Sequence, residues 1–171
     1  LAGRMGMQDM RSELENLAFE QLQPDHFKAI TSRLEEMKAE FAETIASIKK
    51  ELTQKLKESG IASVTVSARV KSPWSIATKI ERKSIALEQL SDMIGFRIIV
   101  PTVEDCYKAL GVAHTNWKVV PGRFKDYISV PKHNDYQSIH TTIVGVGRQR
   151  AELQIRTETM HRIAEYGIAA H

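Results

Sequence analysis

A chain of 171 residues that is 42% hydrophobic is long enough for one domain with a buried core and too apolar to be disordered. Runs such as Ile98-Ile99-Val100 are far too short to span a bilayer, no apolar signal segment opens the chain, and the single Cys106 has neither a disulfide partner nor metal-ligand spacing around it. The net charge of +3 is uneven: residues 1–60 hold 9 Lys and Arg against 11 Asp and Glu, whereas residues 61–171 hold 15 against 10, a basic excess that suits a nucleotide, a nucleic acid or a lipid head group.

These features lead us to expect a cytoplasmic protein, and because the chain opens on Leu1 and closes at His171 just after a helical pattern, a piece of something longer. Two helices are predicted over the first sixty residues. Met10, Leu14, Leu17, Ala18 and Leu22 recur at three- and four-residue steps before Pro24 interrupts. Phe27, Ile30, Leu34, Met37, Phe41, Ile45, Ile48, Leu52 and Leu56 then form one stripe, ended by Ser59-Gly60. About 35 residues at 1.5 Å each give a rod of roughly 50 Å, which packs on its own domain or a neighbour, or pairs as a coiled coil.

After Gly60 the period changes to two. Val64, Val66, Ala68 and Val70 face one way, while Thr65, Ser67, Arg69 and Lys71 face the other. Ser72-Pro73 reads as the start of a helix through Lys79 to about Lys83. Ile94 to Val100 reads as a central strand with both faces largely apolar. Thr102 with Asp105 opens a helix that buries Cys106, Tyr107, Leu110, Ala113 and Trp117. A loop from Pro121 to Gln137 follows, with a short strand at Tyr127 to Val130. Strands Ser138 to Val146 and Arg150 to Arg156 make a hairpin about Gly147 to Gln149, and Thr157 caps a last helix. The order predicts an α+β domain, a mixed sheet with helices outside it, behind a helical lead-in.

Chemistry concentrates in four places. Arg69, Lys71 and Lys79 surround a strand-to-helix turn, where free N–H groups favour an anion, or else simply end a strand in solvent. Arg97 within an apolar strand requires a partner or a ligand, and Asp92 could be that partner. Glu152, Gln154 and Arg156 share a face, as do His140 and Thr142. If the polar faces coincide, Glu152 and Asp92 could hold Mg²⁺ for phosphoryl transfer; otherwise this is a solvated sheet face. From Gly122 to Thr142, cations Arg123, Lys125 and Lys132 accompany Tyr136, Asn134, Gln137 and His140, a set suited to stacking on a purine and reading its edges, unless Tyr136 only packs the loop. Neither a Walker A motif nor GxGxxG occurs.

These segments resemble, in order, the synthetase domain of RelA/SpoT proteins. The matching stretches are Arg69-Val70-Lys71, Ser75-Ile76 leading to Lys79, Asp92 with Arg97, RFKDYI from Arg123, NDYQSIHTT from Asn134, ELQIRT from Glu152, and MHRIAEYGIAAH from Met160. The resemblance implies two parts: residues 1–60 as the helical lead-in and residues 61–171 as a nucleotidyltransferase-like synthetase domain. It implies transfer of pyrophosphate from ATP to the 3′-hydroxyl of GDP or GTP, with release of AMP. Arg69 and Arg97 would sandwich adenine, with Lys71 and Lys79 on the phosphates. Asp92 and Glu152 would hold Mg²⁺, with Glu152 also as base. Tyr136 would stack on guanine, helped by Lys132, Asn134, Gln137 and His140. Arg123 and Lys125 belong to the R-x-K-D form that accompanies bifunctional parents, so hydrolase and regulatory domains are the expected partners in the parent chain. Asp135 stands where the family more often has Gly, and Trp74 where it more often has Tyr. No membrane and no direct nucleic-acid contact is expected. A catalytically silent nucleotide-binding module of a larger protein is the alternative.

Overall fold

The computed structural model describes residues 8–83 and 94–167. Helices α1 (Gln8–Leu22) and α2 (Pro24–Glu58) lead into strand β1 (Thr65–Val70), helix α3 (Pro73–Lys83) and strand β2 (Ile94–Val100). Helix α4 (Val103–Asn116) follows, then the short strands β3 (Lys118–Val119) and β4 (Lys125–Asp126). Strands β5 (Ile139–Val144) and β6 (Arg150–Thr157) and helix α5 (Glu158–Tyr166) complete the described fold. The sheet order is β1-β2-β6-β5-β3, with β4 also paired to β5. Among the described strands β2 and β6 pair parallel and the other pairs antiparallel, so the sheet is mixed.

Alternation decides the two faces of this sheet. Val66, Phe96, Ile98, Ile139, Ile143, Leu153 and Ile155 all point to one side and are buried. Ile48, Leu52 and Leu56 of α2 and Cys106, Ala109 and Ala113 of α4 close over them. A second cluster joins the helices themselves: Phe19 of α1, Ile30 and Leu34 of α2, and Ile76 and Ala77 of α3. Helix α2 contributes to both clusters. Pro24 supplies its first turn, where a missing N–H costs nothing, and Gly60 leaves it at φ +90°, a backbone region that favours glycine. Thr102 and Thr157 start α4 and α5 by accepting the N–H of Asp105 and Met160.

Several expectations change. The stripe read on α1 is exposed at Met10, Leu14, Leu17 and Leu22, and Phe19 is the residue that α1 buries. Tyr107 is exposed rather than buried, because its hydroxyl reaches Asp126 and Ser129. Strand β2 buries Ile94, Phe96, Ile98 and Val100 on one face and presents Gly95, Arg97 and Ile99, half-buried, on the other. The short strand lies at Lys125–Asp126, and residues 127–130 turn instead. Asp126 dictates that turn, since its carboxylate accepts the N–H groups of Ile128 and Ser129 and the Ser129 and Tyr107 hydroxyls. Among the described residues no helix is long and apolar enough to cross a membrane.

Candidate active site

The face of the sheet opposite the main core carries the polar residues. Register pairs Arg69 with Gly95 and Ser67 with Arg97 across β1 and β2. It then pairs Gly95 with Glu152, and Arg97 with Gln154, across β2 and β6, and brings His140 opposite Gln154. Arg69, Arg97, Glu152, Gln154, Arg156 and His140 therefore share one floor. Gly95 adds no side chain to that floor; a Cβ there would make ordinary contact, 3.4 Å from the Glu152 carbonyl oxygen and 3.9 Å from its Cβ.

Above the floor opens a cavity of about 1140 Å³. Arg69 and Arg97 line it from the sheet, Lys132, Asn134 and Tyr136 from the loop before β5, and Arg11 and Glu15 from α1. Lys71 and Glu152 lie in an adjoining recess shared with Arg69, Gly95 and Arg97. Within it, Lys71 Nζ is 2.9 Å from Glu152 Oε2. Arg97 is held by Glu165 of α5, with Nη2 and Oε1 3.3 Å apart. Asp92 lies outside the described residues, so the carboxylate seen on Arg97 is Glu165.

The loop side is built on an aromatic cluster. Tyr136 Oη and His140 Nε2 are 2.7 Å apart, and Tyr127 packs edge-on against both rings. Lys132 Nζ lies 4.6 Å from the Tyr127 centroid and 5.1 Å from that of Tyr136. Burial pushes the His140 pKa down to about 4, and Arg156, Lys132 and Lys71 act in the same sense against the opposing pull of Glu152. A neutral ring can accept the Tyr136 hydroxyl proton at Nε2. Asn134 Oδ1 accepts the Tyr136 N–H, and Asp135 takes φ +61°, the left-handed region that Gly occupies without cost and Asp tolerates.

Arg69, Lys71, Arg97, Lys132, Asn134, Tyr136 and Glu152 are thus gathered around the cavity and its recess, whereas His140 is off the lining and meets it through the Tyr136 hydroxyl. Gln137 is not on its wall: its Nε2 donates to the Ile128 carbonyl at 3.4 Å and braces the turn. Lys79 in α3, Arg123, and Lys125 on β4 are likewise absent from the lining.

A family model for a region found in RelA / SpoT proteins matches residues 68–171. The chain belongs to the RelA/SpoT family. GTP pyrophosphokinase rsh of Brucella abortus (strain 2308) is 56% identical over all 171 residues, which make up 23% of that protein. GTP pyrophosphokinase of Myxococcus xanthus is 47% identical, with 22% of its length covered. The chain therefore spans under a quarter of these relatives. Among solved structures, small alarmone synthetase 1 from Bacillus subtilis bound to its product pppGpp aligns at a TM-score of 0.60 and 27% identity, covering 77% of this chain and 76% of that one.

This RelA/SpoT chain also brings to its cavity residues to which the sequence assigned no site role: Gln154 and Arg156 of β6, Glu165 of α5 and Ser75 of α3. Alternation from Glu152 already places Gln154 and Arg156 on its face. Nothing in strand periodicity points to Glu165.

Proposed function

We propose that this chain is the synthetase part of a longer (p)ppGpp synthetase, transferring the pyrophosphoryl group of ATP to the 3′-oxygen of GDP or GTP. One observation carries the reading. A cavity larger than the roughly 300–1,000 Å³ of a site for one drug-sized ligand, together with the recess adjoining it, joins a cationic sheet floor and the Glu152 carboxylate to a loop bearing an aromatic platform. The names of the relatives and the product bound by the solved synthetase support it.

In this reading Arg69 and Arg97 hold adenine, and Lys71 and Lys79 hold the ATP phosphates. Tyr136 stacks on guanine, with Lys132, Asn134, Gln137 and His140 around the acceptor. Glu152 accepts the proton of the 3′-hydroxyl as its oxygen bonds to the β-phosphorus, and the bond from that phosphorus to the oxygen of AMP breaks. The work is positioning and charge neutralisation. Among the described residues no three or more His, Cys, Asp or Glu gather to hold a metal. In this reading Glu152 with Asp92 would hold Mg²⁺, which takes one or two carboxylates plus substrate phosphates. When bound, Mg²⁺ supplies charge neutralisation on those phosphates. Arg123 and Lys125, within the R-x-K-D stretch, lie outside the cavity wall, and we assign them to a specificity loop of a bifunctional bacterial, cytoplasmic parent.

The contact between Lys71 and Glu152 favours a second reading, a resting module whose base is held by its own lysine. The test is direct. ATP, GDP and Mg²⁺ incubated with the chain should yield AMP and a 3′-pyrophosphorylated guanosine nucleotide; a silent module would bind both nucleotides and release no AMP.

A further inference from the structure

Arg156 is 2% exposed, on the polar face of β6 and on the wall of the cavity. Its Nη2 donates to the neutral Oε1 of Gln154. Its Nε and Nη1 are buried and have no hydrogen-bond partner among the described residues. The guanidinium carbon lies 5.6 Å from the centroid of the Tyr136 ring. Glu165, a carboxylate of the same cavity wall, is occupied by Arg97 at 3.3 Å. Burial foremost, and then the charges of Arg97 and Arg69, pull the Arg156 pKa below its ordinary value, against Tyr136 and Glu165. Even so, an arginine stays protonated.

A buried cation with unmet donors is costly, and an apolar residue of similar volume often serves a fold better at such a position. The charge therefore calls for a reason outside the ligand-free fold. Resting on the reading of Tyr136 as the guanine platform, we infer that Arg156 is a positioning residue of the acceptor site. It backs the Tyr136 ring and holds Gln154, and its buried charge, with two donors unpartnered, favours a multiply charged guanine nucleotide over an uncharged nucleoside. Its free donors are shielded from solvent, so it acts through Tyr136, Gln154 and its field, not by touching the ligand.

The test uses Arg156→Met and Arg156→Lys in the intact chain, titrated with guanosine, GDP and GTP, with thermal unfolding measured in parallel without ligand. Arg156→Met should melt at or above the parent temperature. It should bind guanosine within about twofold of the parent, GDP roughly three- to tenfold more weakly, and GTP more weakly still. Arg156→Lys, which keeps the charge, should recover most of the GDP and GTP affinity. An equal loss for all three ligands, a Met variant that melts lower or fails to fold, or a Lys variant as weak as Met would make Arg156 a structural residue and overturn the inference. Unchanged affinities throughout would overturn it too. Failure of the underlying reading looks different: the parent would not bind guanine nucleotides, or Tyr136→Ala would bind them as the parent does.

Discussion

Lys71 and Arg97, both assigned to ATP, already hold carboxylates, Glu152 at 2.9 Å and Glu165 at 3.3 Å. Nucleotide binding then exchanges one partner for another, and the geometry of the incoming group matters. A planar guanidinium stacks on adenine where an ammonium does so poorly. Arg69→Lys and Arg97→Lys should therefore each raise the KM for ATP several-fold and leave that for GDP near its starting value. If both Lys variants match the parent in steady-state kinetics, these side chains act by charge alone. Tyr136→Ala should weaken GDP binding by roughly 1–3 kcal/mol, the range for loss of a base–aromatic stack, and leave ATP binding alone, which calorimetry would read. His140 makes a pH prediction. Its folded pKa of about 4 lies below the ordinary histidine value of 6.5, so the unfolded chain takes up the proton first as pH falls. The stability it contributes is whole above pH 6.5, is lost as the pH falls toward 4, and amounts to a few kcal/mol. His140→Gln should flatten the unfolding free energy over that window relative to the parent. At this scale the sequence tells that Arg97 needs a partner, not which one: Glu165 is 68 positions along, on a helix whose packing no strand period encodes.

Elements were legible wherever a period met a terminator. The strand β1 pattern, the Ser72-Pro73 start of α3 and the stripe of α2 all follow from residue spacing, and the buried positions of α2 fall on that stripe. Helix α1 was legible as a helix but not in its facing. Its apolar stripe is exposed because Phe19, packed among Phe27, His26 and Trp74 rings, provides the contact that orients it. Asn16 of α1 then accepts the backbone N–H of Trp74 at 3.0 Å, satisfying a free donor in the first turn of α3. Asn16→Ala should cost about 0.5–2 kcal/mol in denaturant unfolding, as loss of a helix cap does. The loop before β5 was readable in composition only, since its shape hangs on Asp135 at φ +61° and on the Asp126 turn. Asp135→Gly relieves that backbone and removes a negative charge from the loop to which the acceptor nucleotide is assigned. It should stabilise the fold by a few tenths of a kcal/mol or leave it unchanged, and tighten GDP binding; weaker GDP binding in the same titration would mean that the carboxylate itself serves the ligand.

The molecule as a whole is tied together by α2. Its first half packs Ile30 and Leu34 into the helical cluster with Phe19 and Ile76, and its second half packs Ile48, Leu52 and Leu56 under the sheet. The helical cluster holds α1 and α3, which bring Arg11, Glu15 and Ser75 to the cavity, whereas the acceptor loop is carried by the sheet. Damage to one cluster should therefore reach both stability and one side of the site. Leu34→Ala and Leu52→Ala each delete a buried side chain and should lower stability by about 2–5 kcal/mol, with Leu52 the costlier because it is fully buried. Because a single 35-residue helix serves both clusters, each variant should still unfold in one transition with the parental denaturant slope. Only Leu34→Ala should also weaken ATP binding, by loosening the wall that α1 and α3 supply, while GDP binding stays at the parental value in both. A two-step transition in Leu34→Ala, with the first step silent to GDP, would instead mean that the helical cluster melts independently and that the sheet with its loop stands alone.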